Sequence, residues 1–166
     1  SPMSILKVDT INEKTTGNGV QIAGHVIQTV FVNDSTEYSN NTTSFVDTNL
    51  TATITPKSAS SKILITSQLA TDAPVNSILT VRLLRGSTVL QEEGYWTYLY
   101  MAAQNSGDYI LLRQPNFYLD TPSTTSAITY KWQLRRHSGT ALPAYISYDD
   151  NTGTSDSQII LQEIAQ

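Results

Sequence analysis

The sequence predicts an all-β fold: an antiparallel β-sandwich of the jelly-roll kind, led by a short N-terminal strand-and-turn segment. Three observations carry that expectation. Thr, Ser and Asn fill 23, 18 and 10 of the 166 positions, and their short polar side chains compete with helical backbone bonding while fitting strands and turns. Apolar and polar residues alternate at period two along most of the chain. Turn chemistry recurs about every 8 to 12 residues, the interval of sandwiches and barrels, so roughly nine or ten strands are expected. With 39% hydrophobic residues in 166, the chain can fill one core and not two. We therefore expect a sandwich over residues 28–166 and an appendage over residues 1–27.

The appendage comes first. Ser1 and Pro2 precede Met3, which reads as a native start, so the first two residues are set aside from the fold. The stretch ILKVDTINEKTTGNGVQIAGHV has short alternating pieces and Gly17, Gly19 and Gly24 close together. It cannot bury much on its own. Thr16-Gly17-Asn18-Gly19 is a turn signal, because Asn and Gly accept the positive φ of hairpin turns. Two readings stay open: a hairpin packed on the sandwich, or a segment that wraps around copies of itself in an oligomer.

The strands follow in order. HVIQTVFV leads into a polar loop, NDSTEYSNNTTS. After Phe45 and Val46, Leu50, Ala52 and Ile54 alternate with Thr51 and Thr53 until Pro56 stops the strand. Beyond the loop KSASS, Ile63, Ile65, Ser67 and Leu69 share one face. Ile78 to Arg85 and Thr88 to Gln91 flank Gly86-Ser87, which reads as a hairpin turn. Asp108 to Asp120 and Ala127 to Arg136 are joined by the loop TPSTTS. In the latter strand Ile128, Tyr130, Trp132 and Leu134 occupy one side and Thr129, Lys131, Gln133 and Arg135 the other, so one face is core and one is wet. In the last strand, Gln158 to Ala165, Ile159 and Leu161 point one way and Ile160 and Ile164 the other. A strand apolar on both sides belongs in a sheet centre or at a subunit interface. Tyr95 to Gln104 reads as a helical turn or two, or equally as an aromatic strand.

Composition removes several classes of function. Charged residues are only 14%, and 10 Lys plus Arg against 14 Asp plus Glu leave a net charge of −4 with no block of like charge. That lacks the footprint of nucleic-acid binding. No cysteine is present, which excludes disulfides, a thiolate metal site and a cysteine nucleophile. No apolar run reaches the roughly 18 residues that span a bilayer, and the N-terminus lacks a signal-peptide layout, so no membrane insertion is expected.

Signs of catalysis are few. His25 opens an apolar strand and His137 follows Arg135 and Arg136, neither in a motif that positions a partner for acid or base work. Glu92 with Glu93 and Asp149 with Asp150 are adjacent pairs, whereas glycosidase carboxylates face each other across a cleft. No enzyme activity and no cofactor are expected. Asp149, Asp150 and Asp156 stand in an Asn- and Gly-rich stretch that offers oxygen ligands to a hard cation but misses the EF-hand register. The same residues are common turn formers, so no metal is assigned. Sequons at Asn33, Asn40, Asn41 and Asn49 would matter only in a secreted eukaryotic protein.

Aromatic residues are the candidate ligand-binding set. Tyr95, Trp96, Tyr98 and Tyr100 follow Gly94 closely, and Tyr145 and Tyr148 precede the acidic loop. On a strand, Trp96, Tyr98 and Tyr100 would share one face and Tyr95 the other, so large rings lie on both sides. Rings with a polar tip serve core packing first, and also interfaces and sugar stacking.

The blocks SILKVDTINEKTTGNGVQIAGHVIQ, TTSFVDTNLTATITPKSASSKILI, LLRGSTVL, LDTPSTTSAITYKWQLR and IILQEIAQ together resemble short virion proteins of tailed bacteriophages, of the tail-fibre or receptor-binding type. The resemblance runs over nearly the whole chain from Met3. It implies a homotrimer, made in the host cytoplasm and carried on the virion. The N-terminal part would intertwine and join other virion proteins, while a jelly-roll head like that of the C1q and tumour necrosis factor group contacts a host-surface glycan or another receptor. No catalytic residues come with it. At this length almost no shaft is left, which keeps open a capsid decoration or tail adaptor without a host ligand.

Overall fold

Alternating sequences of this kind leave each strand one face to bury, and the chain meets that need by stacking two sheets. The computed structural model describes residues 10–12, 22–74, 78–92, 109–138, 143–147 and 155–166. Among them are ten strands and no helix: β1 (Val26–Asp34), β2 (Tyr38–Asn40), β3 (Val46–Ile54), β4 (Lys62–Pro74), β5 (Ile78–Arg85), β6 (Thr88–Glu92), β7 (Tyr109–Asp120), β8 (Ile128–Ser138), β9 (Ala144–Ile146) and β10 (Ser157–Ile164). All pairings are antiparallel. The expected all-β sandwich is what the chain forms.

One sheet has the order β3-β8-β5-β6. In the other, β1 pairs β10, β10 pairs β4, and β7 pairs the opposite edge of β4 along its whole length. The short β9–β2 ribbon continues beside the far end of β4. Apart from that ribbon, the orders 1-10-4-7 and 3-8-5-6 are those of a double-sheet jelly roll, in which sheet neighbours are distant in sequence. The last strand, apolar on both sides, lies between β1 and β4, one of its two expected places.

Inward positions follow period two. Leu50, Ala52 and Ile54 of β3, Ile63, Ile65 and Leu69 of β4, Leu79, Val81 and Leu83 of β5, Tyr130, Trp132 and Leu134 of β8, and Ile159 and Leu161 of β10 form one buried cluster. Polar groups on the inner faces tie the sheets together. Trp132 Nε1 donates to Ser67 Oγ at 3.0 Å, linking β8 to β4. Glu163, fully buried, accepts hydrogen bonds from Gln28 Nε2 and from the backbone N–H groups of Lys57 and Ser58, which anchors the β3–β4 loop. Turns sit where the sequence put them. Gly86 takes φ +58° between β5 and β6, and its N–H donates to the Thr129 carbonyl at 2.9 Å.

Two strands depart from expectation. The stretch 33–44 reads as loop, yet Tyr38–Asn40 forms β2 against β9, itself not foreseen. Three residues are too few for a periodic signal, and tertiary contacts place them: Asn40 Nδ2 donates to the Leu134 and Ser44 carbonyls at 2.9 and 3.0 Å, and Tyr38 packs on the core. Tyr95 to Gln104 and the turn at residues 16–19 lie outside the described residues.

The two faces of one strand should respond differently to truncation. Leu134→Ala, fully buried in β8, is expected to cost about 2–5 kcal/mol of unfolding free energy. Thr51→Ala, on the outward side of β3, should stay within about 0.5 kcal/mol. Urea denaturation read by tryptophan fluorescence measures both.

Candidate functional site

Of the six aromatic residues singled out, the structure describes one. Tyr145 sits in β9 opposite Ser39 of β2 and Asp72 of β4. Its neighbours Ala144 and Ile146 are buried against the core, so the Tyr145 ring points to the other side and is half-exposed. Tyr95, Trp96, Tyr98, Tyr100 and Tyr148 lie outside the described residues, as do Glu93, Asp149 and Asp150. Asp156 accepts a hydrogen bond from Asn33 Nδ2 at 2.8 Å. Glu92 lies 3.6 Å from Arg82 and 3.9 Å from Arg135. Among the described residues, no three His, Cys, Asp or Glu side chains gather as a metal would require.

One polar cluster was not among the residues expected from the sequence. Asp120, at the end of β7, turns into the sandwich and is 6% exposed. Both its carboxylate oxygens accept from Arg85 Nη1 at 2.9 Å, and Oδ2 also accepts from the Tyr130 hydroxyl at 2.7 Å. Burial, then the bond to Asp120, raises the Tyr130 phenol well above its ordinary value. Arg85 borders a shallow open recess with Gly86, Pro122, Thr124 and Ile128. Its guanidinium is committed to Asp120, so the cluster joins β5, β7 and β8 as structure. The inward period of β7 contained the signal: Gln114, Asn116, Tyr118 and Asp120 share the core-facing side.

The two outer faces of the sandwich differ sharply. On the β3-β8-β5-β6 sheet, Asp47, Gln133, Arg82 and Glu92 stand side by side across four strands. Asp47 accepts from Lys131 Nζ at 2.7 Å and from Gln133 Nε2 at 2.6 Å, and these bonds hold its carboxyl below the ordinary carboxylate range. Arg82 and Arg135 lie over the Phe45 ring at 3.9 and 4.4 Å. This is a solvated, charge-paired face.

The opposite face, formed by β1, β10, β4 and β7, carries little charge, with Lys62 at one end and the exposed Arg113 of β7 towards the other. Its outward residues fall in transverse rows: Phe31, Ile160, Thr66 and Phe117 in one, Thr29, Gln162, Leu64 and Leu119 in the next. Asn33, Gln158, Gln68 and Pro115 form a third, and Val26, Ile164 and Lys62 a fourth. Phe117 is 64% exposed, Phe31 57% and Leu119 51%. Exposed aromatic and aliphatic side chains grouped on one sheet face mark an interaction surface.

No protein-family model matches the sequence, and no curated protein matches it. Among solved structures the chain is similar to a chain of the infectious bursal disease virus Gt strain, with a TM-score of 0.33 and 10% identity. The likeness covers 99% of this chain and 43% of that one, so the chain spans less than half the length of that protein. Likeness at this level carries no argument about function.

The Tyr130 hydroxyl has a distinctive pH signature. Its folded-state value lies above the ordinary 10.0, so the stability it contributes is complete below about pH 10 and is lost as pH rises and the unfolded chain ionises. Tyr130→Phe should cost about 1–3 kcal/mol near neutral pH, and the penalty should shrink in strong alkali. Urea midpoints of parent and variant at about pH 8 and pH 11 test this.

Proposed function

We propose that this chain is a virion protein of a tailed bacteriophage that works by binding: a homotrimeric fibre or receptor-binding protein with the sandwich as its head. In this reading residues 1–27 join other virion proteins and the head contacts a host-surface glycan. The observation that carries it is the inequality of the two outer faces. Charge pairs dress one sheet for solvent, whereas the other exposes Phe31, Phe117 and Leu119. A soluble chain that leaves such a face is built to be covered. The sequence blocks that resemble tail-fibre proteins supply the class of assembly.

Trimerisation also makes weak recognition useful. A single sugar site has low affinity, and three held together gain about 10²–10⁴ in avidity without a new contact. Tyr145, half-exposed at the end of the β4 layer, has the flat ring and polar tip that stack on sugar C–H groups and hydrogen-bond their hydroxyls. Tyr95, Trp96, Tyr98, Tyr100 and Tyr148 are the companion candidates from sequence.

Light scattering should give a mass near three times the 18.3 kDa protomer; a clean monomer at micromolar concentration overturns the reading. On a glycan array, binding should vanish with Trp96→Ala or Tyr98→Ala. A silent array together with tight binding to capsid or tail preparations would move the protein to the decoration or adaptor role.

A further inference from the structure

We infer that the end of the sandwich at which residues 22–25 lead into β1 is a docking surface for a carboxylate-bearing segment of a neighbouring virion protein, with the recess beside Arg85 as the socket for one acidic side chain. The inference rests on the reading that this chain joins other virion proteins, and it assigns to that contact a part of the head and a partner chemistry.

Strand direction sorts the charges. Val26 opens β1 opposite Ile164 of β10, Ile63 near the start of β4 faces Asp120 at the end of β7, and Ile54 at the end of β3 faces Ile128 at the start of β8. The β3–β4 loop, the β5–β6 turn and the β7–β8 loop therefore lie at one end, where Gly24 N–H also donates to the Ala165 carbonyl at 2.8 Å. Residues 55–61, 86–87 and 121–127 contain Lys57 and neither Asp nor Glu, and Lys62 and Arg85 stand at their margins. The described ion pairs use neither Lys57 nor Lys62. Asp120 and Glu163, the carboxylates of this end, are both buried and hydrogen-bonded. Asp34, Glu37, Asp72 and Asp156 belong to the opposite end. A chain of net charge −4 thus shows its positive charge where residues 22–25 enter. An anionic partner is steered to that end and repelled from the other.

The recess supplies the socket. It measures about 490 Å³ and is lined by Arg85 and Ser87 around the β5–β6 turn, Pro122 and Thr124 of the β7–β8 loop, and Ile128 at the start of β8. That volume is within the range of small-ligand sites, about 300–1,000 Å³. Asp120 engages the Arg85 guanidinium through Nη1 alone and holds it in place. Among the described residues nothing accepts from Nε or Nη2, the edge whose parallel N–H groups match the two oxygens of a carboxylate. Thr124 Oγ1 accepts from the Ser126 N–H at 3.0 Å and keeps its own proton to donate. Pro122 and Ile128 give the recess apolar walls. A planar acid on a short alkyl stem fits both features, the fork taking its oxygens and the walls its methylene groups. Asp and Glu side chains have that form.

Amide NMR of the isotope-labelled full chain tests this, with acetyl-tetraglutamate amide as the probe and acetyl-tetraglutamine amide as its neutral twin. Signals of Gly86, Ser87, Thr124 and Ile128 should move with the acidic peptide at low salt, stay still with the neutral one, and return as salt is raised. Ser87→Glu, at an exposed turn position, sets a like charge at the socket and should weaken the acidic peptide about tenfold or more. Lys57→Glu on the neighbouring loop should weaken it by less, and circular dichroism verifies that both variants fold. A silent recess, or equal shifts with the neutral peptide, overturns the socket. Glucuronate that displaces the peptide at lower concentration assigns the carboxylate to an acidic sugar and overturns the protein partner. Sedimentation with capsid or tail preparations separates the two readings. Binding by the parent that Ser87→Glu abolishes supports the inference, and equal binding by both overturns it while virion attachment stands. A parent that answers the acidic peptide at the recess but does not sediment with particles overturns virion attachment and leaves the carboxylate socket standing.

Discussion

Each sheet of a two-layer sandwich can bury only the face it turns toward the other, and most properties of this molecule follow from that constraint. The inner faces are filled by a single cluster from Leu50 to Leu161. The outer faces receive whatever the alternate positions carry. On β3, β8 and β5 those positions carry Asp47, Lys131, Gln133 and Arg82, which satisfy one another across the strands. On β1, β4, β7 and β10 they carry Phe31, Leu64, Phe117, Leu119 and Ile160, for which the sandwich has no further room. One fold therefore presents a charge-paired side and a largely apolar side.

β4 is the strand that makes the second arrangement possible. It runs from Lys62 to Pro74 and pairs β7 along one edge while holding first β10 and then β9 along the other. Polar handles fix its position against the opposite sheet. Ser67 accepts from Trp132, and at the neighbouring end Asp120 is clasped by Arg85 and Tyr130. Groups buried this way are costly unless bonded and specific once bonded. They select one stacking of the two sheets among the many that apolar residues alone would permit.

Much of this is legible in the sequence. β3 and β8 show their inward residues as plain alternation, with Leu50, Ala52 and Ile54 in one and Tyr130, Trp132 and Leu134 in the other. The two-faced β10 pointed to a central or interfacial position, and it lies between β1 and β4. The short β2 and β9 were not legible, because three-residue strands carry no period and exist through their partners. The Arg85–Asp120–Tyr130 cluster was hidden for a related reason: its members come from three strands, and only the fold brings them together. The outer apolar face was present in HVIQTVFV and in NFYLD, but sequence does not say which strands share a sheet, so Phe31 and Phe117 could not be seen as ends of one row.

The sequence by itself determined the fold class, nearly all the positions of the long strands, and the inward residues of β3, β4 and β8. These are local properties, set by side-chain period and turn chemistry within a few residues. Only the tertiary structure decided which strands are neighbours, which buried polar groups find partners, and which outward residues join into a surface. Those depend on pairings between segments far apart along the chain, and in a jelly roll nearly every sheet neighbour is such a segment.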